Sequence, residues 1–385
     1  MWMGACTSSI GTWMQNLAQS WLVYELTKSA WYLGLDVFLG QIPIFLFSML
    51  GGVVADRKDR RKILVVSQII QMICALTLAT LAWFGAIQVW QILALSFTVG
   101  TAQAFGGPAY QAMIPSLVKK EDLQNAIAMN SIQFNVARVI GPVIGGVTLA
   151  KFGAVWCFGI NALSFLAVIF TLMRVAPRPP AMLGKEPVIE SMKVGLRFIR
   201  DHSVMGGLIV LAFLMTLLGV PIMTFLPVFA ERVFHLGKDA YSAMLVVSGI
   251  GSVLGGVFVA ATSAYPRKGL LSLVSLGALG ALIFGFAIST NFYVACLMLF
   301  FGGAALIACF GLVSSLVQSL TEDSMRGRVM SIYNVAFRGG MPFGAFAAGK
   351  LIESYSAPQV LAANGILLVV LSGVFWFTQR RVARL

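Results

Sequence analysis

The sequence predicts an all-α membrane protein of twelve transmembrane helices, and three observations carry that expectation. Of 385 residues, 59% are hydrophobic and only 11% charged. A soluble domain carries about 25% charged residues, so this chain lacks the charge to cover a wet surface. The charges are also spaced out. Residues 1–24, 63–118, 152–173, 203–230, 240–266, 269–321 and 354–379 contain no Asp, Glu, Lys or Arg, and 29–55, 123–150 and 329–349 contain one each: Asp36, Arg138 and Arg338. Finally, Lys and Arg alternate between crowded and nearly empty connections.

Roughly 20 apolar residues cross the hydrocarbon core of a bilayer, so every run holds at least one span. At about 1.5 Å per residue, 63–118 and 269–321 are too long for single helices. They fold back at Gly85-Ala86-Ile87-Gln88 and at Ser289-Thr290-Asn291, which makes twelve spans. With the first connection placed outside, only Lys28, Lys151, Arg232, Lys238 and Lys350 fall on the outer face, while the inner face takes all the other cations except Arg138 and Arg338. Positive residues collect on the cytoplasmic side, so both termini are expected there, in the inner (plasma) membrane. The net charge of +13 therefore belongs to topology, with the lipid bilayer as partner and no nucleic acid.

Cys6, Cys74, Cys157, Cys296 and Cys309 all sit in apolar spans and read as small hydrophobes. No basic region precedes the first apolar stretch, so a cleaved signal peptide is not expected; span one opens almost at Met1, which leaves room for a native start further upstream.

The longest polar segment divides the chain into an N-terminal six-helix bundle (1–174), a cytoplasmic linker (175–203) and a C-terminal six-helix bundle (204–385). The linker opens with Pro177-Arg178-Pro179-Pro180 and then sets Ile189, Met192, Leu196 and Ile199 against Glu190, Lys193, Arg197 and Arg200. That spacing suits an amphipathic helix on the inner membrane surface. The two bundles repeat each other. Ser131-Ile132, Arg138 and Pro142 recur as Ser331-Ile332, Arg338 and Pro342; Glu121-Asp122 recurs as Glu322-Asp323, and Gly51-Gly52-Val53 as Gly255-Gly256-Val257. Parallel repeats of this kind place a substrate site near the midplane between halves, and point to a transporter.

After span two comes Gly52-Val53-Val54-Ala55-Asp56-Arg57-Lys58-Asp59-Arg60-Arg61-Lys62. This stretch resembles the cytoplasmic loop signature of the major facilitator superfamily, with Asp59 where the family has a turn glycine. The resemblance implies a cytoplasmic gate built from Gly52, Asp56, Arg57, Arg60 and Arg61, with Asp56 meeting the start of span eleven near Arg326-Gly327-Arg328. In span five, Gly141-Pro142-Val143-Ile144-Gly145-Gly146 is similar to the signature of proton-coupled exporters in that superfamily. Gly11-Thr12-Trp13-Met14-Gln15, Trp21-Leu22-Val23-Tyr24 and Ala104-Phe105-Gly106-Gly107-Pro108-Ala109 resemble the enterobactin-exporter-like branch. The implied fold is two pseudo-symmetric six-helix bundles, and the implied activity is secondary active, proton-coupled export of small amphipathic compounds, drug-like or siderophore-like, by a monomer.

Span one carries Ser8, Thr12, Gln15 and Gln19 on one face, with Asn16 beside them. Polar groups in a lipid-embedded helix must face water or protein. In this superfamily spans one, four, seven and ten line the cavity, so Thr12, Gln15, Asn16, Gln19, Thr101, Tyr110, Phe213 and Phe310 are the expected substrate contacts, with helix–helix hydrogen bonding as the competing role. Met215, Met223, Phe225 and Ser314 complete the wall from the second half, which is aromatic and poorer in polar groups. Charges inside a membrane are expensive and mark function. Asp36 is expected to carry the proton and to pair with an arginine, leaving a second arginine to attract an anionic substrate group; in the competing reading Arg138 and Arg338, repeated by the duplication, both brace the two halves.

No Gly-Lys-Ser/Thr phosphate loop occurs, and His202 and His235 lie in connections on opposite faces, so no nucleotide, metal or other cofactor is expected and no enzyme. The alternatives left open are a facilitator or flippase of a lysophospholipid or metabolite without proton antiport, and a receptor that does not cycle.

Overall fold

The computed structural model describes residues 2–174, 188–262 and 265–378, and those residues are almost wholly helical. The helices are α1 (Trp2–Thr27), α2 (Ala30–Arg57), α3 (Arg60–Trp83), α4 (Val89–Leu117), α5 (Leu123–Phe152), α6 (Ala154–Met173), α7 (Val188–Asp201), α8 (Ser203–Gly219), α9 (Pro221–Thr224), α10 (Leu226–Val228), α11 (Gly237–Ala261), α12 (Lys268–Ile288), α13 (Phe292–Ser319), α14 (Asp323–Ser354) and α15 (Ala357–Thr378). The two long apolar runs fold back at the expected places, since α3 ends one residue before Phe84 and α12 ends at Ile288. Pro177 to Pro180 and Lys185 lie outside the described residues, as do the side chains of Ile189 and Met192.

Among the described residues, nine helical segments are long and apolar enough to cross a membrane. Helices α1, α4 and α14 are as long, at 26, 29 and 32 residues, but fall short in apolarity because they carry amides, hydroxyls and, in α14, several charges.

The chain divides into two compact units: residues Met1–Gly184 with Leu236–Val246, and residues Lys185–His235 with Val247–Leu385. Within the first, α1 packs on α5 and α6, α2 on α4, and α3 on α4 and α6. Within the second, α8 packs on α14, and α12 on α13 and α15, while α11 from Ser248 onward lies against α13. Both units thus use one packing plan.

In lipid, helices gain nothing by hiding apolar surface from water, so close van der Waals approach and hydrogen bonds hold them together. The seams accordingly run over glycine. A Cβ on Gly51 would strike the carbonyl of Ala104, and one on Gly255 would strike the carbonyl of Ala304. The recurring Gly-Gly-Val is therefore the same contact made twice.

The span after α7 is not the straight helix its uncharged run suggests. Pro221 and Pro227 each remove a backbone donor, so α8, α9 and α10 are short pieces, continued by a π-helical turn at Phe229–Val233. Phe229 and Phe234 pack with Phe286 (ring centroids 4.6 and 6.4 Å) and hold the broken end in place. Helix α7 docks on α14 and α8. Its contact face is Gly195, which sits against Ile332 and Arg328, together with buried Ile199. Leu196, expected on the apolar face, is half exposed; the docking face is turned toward Gly195, where the backbone can come closest.

Candidate functional site

The polar side chains of the first unit converge on α1, which serves as a spine. Near the α2 end of that helix, Gln19 Nε2 donates to both carboxylate oxygens of Asp36 (3.1 and 2.9 Å) and lies 2.9 Å from Ser96 Oγ. Ser96 Oγ also donates to Asp36 Oδ1. One carboxylate thus ties α1, α2 and α4 together. Asp36 is 7% exposed, and its partners are neutral. The expected pairing with an arginine is corrected here: Arg138 and Arg338 lie on α5 and α14, while the helices packed around Asp36 offer an amide and a hydroxyl.

One turn earlier on α1, Gln15 accepts from Asn161 Nδ2 on α6 (2.6 Å), and Ser164 Oγ donates to Asn161 Oδ1 (3.1 Å). Gln15 is buried, so it is a helix–helix contact, and the cavity role expected for it is corrected. The reason is packing: α6 lies against α1 and brings Asn161 within hydrogen-bond reach of Gln15. Further along, Gln133 Nε2 donates to Ser9 Oγ (2.9 Å), and the Tyr110 hydroxyl donates to Asn130 Oδ1 (2.9 Å) and reaches Gln133 Oε1 (3.5 Å). This chain joins α1, α4 and α5. Gln133 is 1% exposed; the sequence reading missed it, although it follows Asn130 by three residues, and two amides on one face of a span were the signal to follow.

Of the remaining cavity candidates, Asn16 is exposed and Thr12 and Thr101 are half-buried. Thr12 and Thr101 direct their hydroxyls to the carbonyls of Ser8 and Phe97 (2.9 and 2.8 Å). In the second unit, Phe213 and Phe310 are half-buried. Met215 and Phe225 are fully buried and pack inside the unit, where an open wall had been expected.

The loop between α2 and α3 is a set of staples. Arg60 donates from Nε to the Ala55 carbonyl (3.1 Å) and from Nη1 to the Ala112 carbonyl on α4 (2.9 Å), and pairs with Asp56 (3.6 Å). Arg61 Nη2 donates to the Met173 carbonyl (2.8 Å) at the end of α6. Asp59, in place of a turn glycine, has φ −60° and ψ 108° and accepts from the backbone N–H groups of Arg61 and Lys62. It is an N-cap, so the glycine is replaced by a residue with a different job. Arg57 and Asp56 are exposed, and the space around Gly52 is open.

The signature in α5 is a packing device. Gly141 backs onto Ile10 and Trp13 of α1, and Gly145 onto Met14, whose Cγ lies 2.9 Å from where a Cβ would stand. Gly146 faces Ser242 in the Leu236–Val246 stretch of the same unit. Ser242 Oγ donates to the Pro142 carbonyl (3.3 Å), and Lys238 Nζ to the carbonyls of Leu149 and Ala150 (3.3 and 3.2 Å), meeting the negative end of α5. The second unit has an unforeseen counterpart: Gly340 and Gly344 of α14 back onto Phe213, Thr216 and Leu217 of α8.

Arg138 stands halfway along α5 and places its guanidinium 5.7 Å from the centre of the Trp13 ring, within the range of a cation–π contact. Arg338 occupies the matching position on α14 and is exposed.

Comparison with known proteins accords with this architecture. The chain is 27% identical over 351 residues to the enterobactin exporter EntS of Escherichia coli O1:K1 / APEC, covering 91% of this chain and 83% of that one. A D-xylose-proton symporter superposes with a TM-score of 0.79 at 14% identity, over 97% of this chain and 96% of that one. A bacterial homolog of the human lysosomal transporter Spinster superposes with a TM-score of 0.77 at 16% identity, over 99% and 96%. The family model described as transmembrane secretion effector matches residues 1–383, so the chain belongs to that family, within the major facilitator superfamily of membrane transporters.

Proposed function

We propose that this transporter is a proton-coupled exporter of small amphipathic compounds that works as a monomer by alternating access. In this reading α1, α4 and α14 cross the membrane with the nine more apolar segments, giving two six-helix bundles (1–174 and 204–385) joined by a linker (175–203). Both termini lie in the cytoplasm, and the α2–α3 loop is the cytoplasmic gate. The observation that carries the coupling is the buried carboxylate of Asp36 held by Gln19 and Ser96. An ionised carboxylate only accepts hydrogen bonds, whereas a protonated one also donates. Proton binding at Asp36 therefore forces Ser96 or Gln19 to turn, and with them the packing of α1, α2 and α4. The siderophore exporters among its relatives support the outward direction.

The test begins with a thermal-shift screen for ligands. The best binder is then loaded into proteoliposomes carrying an imposed pH gradient. Wild-type transport should follow the gradient, and Asp36→Asn should abolish that dependence at equal protein level. Movement that ignores the gradient would instead establish a facilitator.

A further inference from the structure

The coupling device at Asp36 leaves the guanidinium of Arg138 without a role. Arg138 stands in the middle of α5, a helix of 30 residues, so at about 1.5 Å per residue it is roughly 20 Å from either end. A charge at that depth is expensive and marks function, and a guanidinium carries donors that call for acceptors. Other cations of the first unit find theirs. Arg60 donates to the carbonyls of Ala55 and Ala112, Arg61 to that of Met173, and Lys238 to those of Leu149 and Ala150. Arg138 does not follow them. Among the described residues it meets the Trp13 ring at 5.7 Å and makes no hydrogen bond or ion pair.

No acid of the unit stands ready to neutralise it. Those acids are Glu25, Asp36, Asp56, Asp59, Glu121, Asp122 and Asp239. All but Asp36 lie at helix ends, and Asp36 is held by Gln19 and Ser96. Trp13 offers the cation the face of its ring, which leaves the N–H edge of the guanidinium unmet. Ser9, Trp13 and Asn16 follow steps of four and three along α1 and share one face. Ser9 accepts from Gln133 (2.9 Å). Asn16 is exposed and hydrogen-bonds to no described residue. Mid-membrane, then, α1 and α5 present a half-buried cation seated on an aromatic ring, with an amide without a partner one turn further along.

We propose that Arg138 and Trp13 bind the anionic group of the transported solute, and that this group is a carboxylate on an amphipathic body. The planar guanidinium fork meets a carboxylate through two parallel hydrogen bonds. The body lies along Trp13, and Asn16 serves its polar substituents. The assignment rests on the reading as an exporter of amphipathic compounds and adds the charge they carry. A lipid phosphate shares the head chemistry, but it sits at the edge of a hydrocarbon core about 30 Å thick, far from the middle of α5. The solute is therefore the occupant.

The full chain is placed in phosphatidylcholine nanodiscs. Equilibrium dialysis then measures binding of 2-naphthylacetate and of its neutral isostere 2-naphthylacetamide, with empty nanodiscs subtracted. The wild type should prefer the anion about tenfold or more. Arg138→Gln should weaken the anion about tenfold and change the amide by less than about twofold. Lys151→Gln, the same loss of charge at the end of α5, should change neither probe. Arg138→Lys keeps the charge without the fork and should retain part of the preference; it serves as the test if Arg138→Gln is not monodisperse. Equal binding of the two probes by the wild type overturns the proposal, as does wild-type affinity for the anion in Arg138→Gln. Equal weakening of both probes in the Arg138 variants would make Arg138 a brace and overturn it too, and so would a loss in Lys151→Gln that matches Arg138→Gln. Replacing the lipid with phosphatidylglycerol should leave binding intact; displacement of the probe would assign Arg138 to a lipid headgroup and overturn the solute. Binding needs no gradient, so naphthylacetate that binds through Arg138 but does not cross proteoliposomes counts against export and leaves the site standing. Gradient-driven transport of naphthylacetate that Arg138→Gln leaves at the wild-type rate counts against the site alone.

Discussion

Asp36 shows how a single buried charge can be held without a counter-charge. Its two donors come from two different helices, and each hydrogen bond to a charged group contributes about 1.5–3 kcal/mol. Ser96→Ala should therefore destabilise the protein by roughly 1–3 kcal/mol, read as a lowered melting temperature in detergent. Asp36→Asn combined with Ser96→Ala should cost less than the sum of the two, because residues in one hydrogen-bond network couple; strict additivity would show that the contact does not operate. The Gln15–Asn161 pair offers a parallel case. Either Gln15→Leu or Asn161→Leu leaves the other amide buried and unsatisfied, costing about 1–3 kcal/mol, whereas the double substitution should recover part of that loss in the same measurement.

At the scale of the helix, glycine decides which pairs form. Gly145 on Met14 and Gly344 on Leu217 are matching contacts in the two units, each too close to admit a side chain. Gly145→Leu and Gly344→Leu should each destabilise their unit by about 1–3 kcal/mol, the usual cost of overpacking, and lower the yield of monodisperse protein. Substitution at Gly52, where the surrounding space is open, should leave the melting temperature unchanged when Gly52→Ala is compared with wild type. That contrast separates a packing glycine from one kept for other reasons. It also sharpens the meaning of the α5 signature: its glycines seat α5 on α1, and Pro142 presents its carbonyl to Ser242.

Across the whole molecule the two faces differ in chemistry. Exposed aromatics stand at the connections assigned outside, with Trp83, Phe84 and Trp90 around the α3–α4 turn, Phe152 and Trp156 around α5–α6, and Tyr293 and Tyr355 in the second unit, and also at the ends assigned inside, with Trp2, Tyr265, Trp376 and Phe377. Aromatic rings favour both membrane–water interfaces, so the basic residues crowded at the connections assigned inside are what tell the two apart. A cysteine placed at Ser29 in a cysteine-free background should react with a membrane-impermeant thiol reagent in intact cells, and one placed at Lys62 only after permeabilisation. The reverse pattern would invert the topology.

How much of this was legible in the residues follows from the physics of each feature. Span positions, the two fold-back points and the sidedness of charge come from transfer energies that each short segment carries by itself, so they could be read without a fold. The duplication was legible because Gly51 and Gly255, or Pro142 and Pro342, keep their identity where helices must touch. Partners could not be read in the same way. Whether Asp36 meets an arginine or a glutamine, and whether Gln15 faces a cavity or Asn161, depend on the rotation and distance of neighbouring helices. No local pattern encodes those quantities. The sequence by itself determined where the long apolar helices run and fold back and that the chain is built twice; only the tertiary structure decided which polar groups satisfy one another, because a buried donor takes whatever acceptor packing brings within reach.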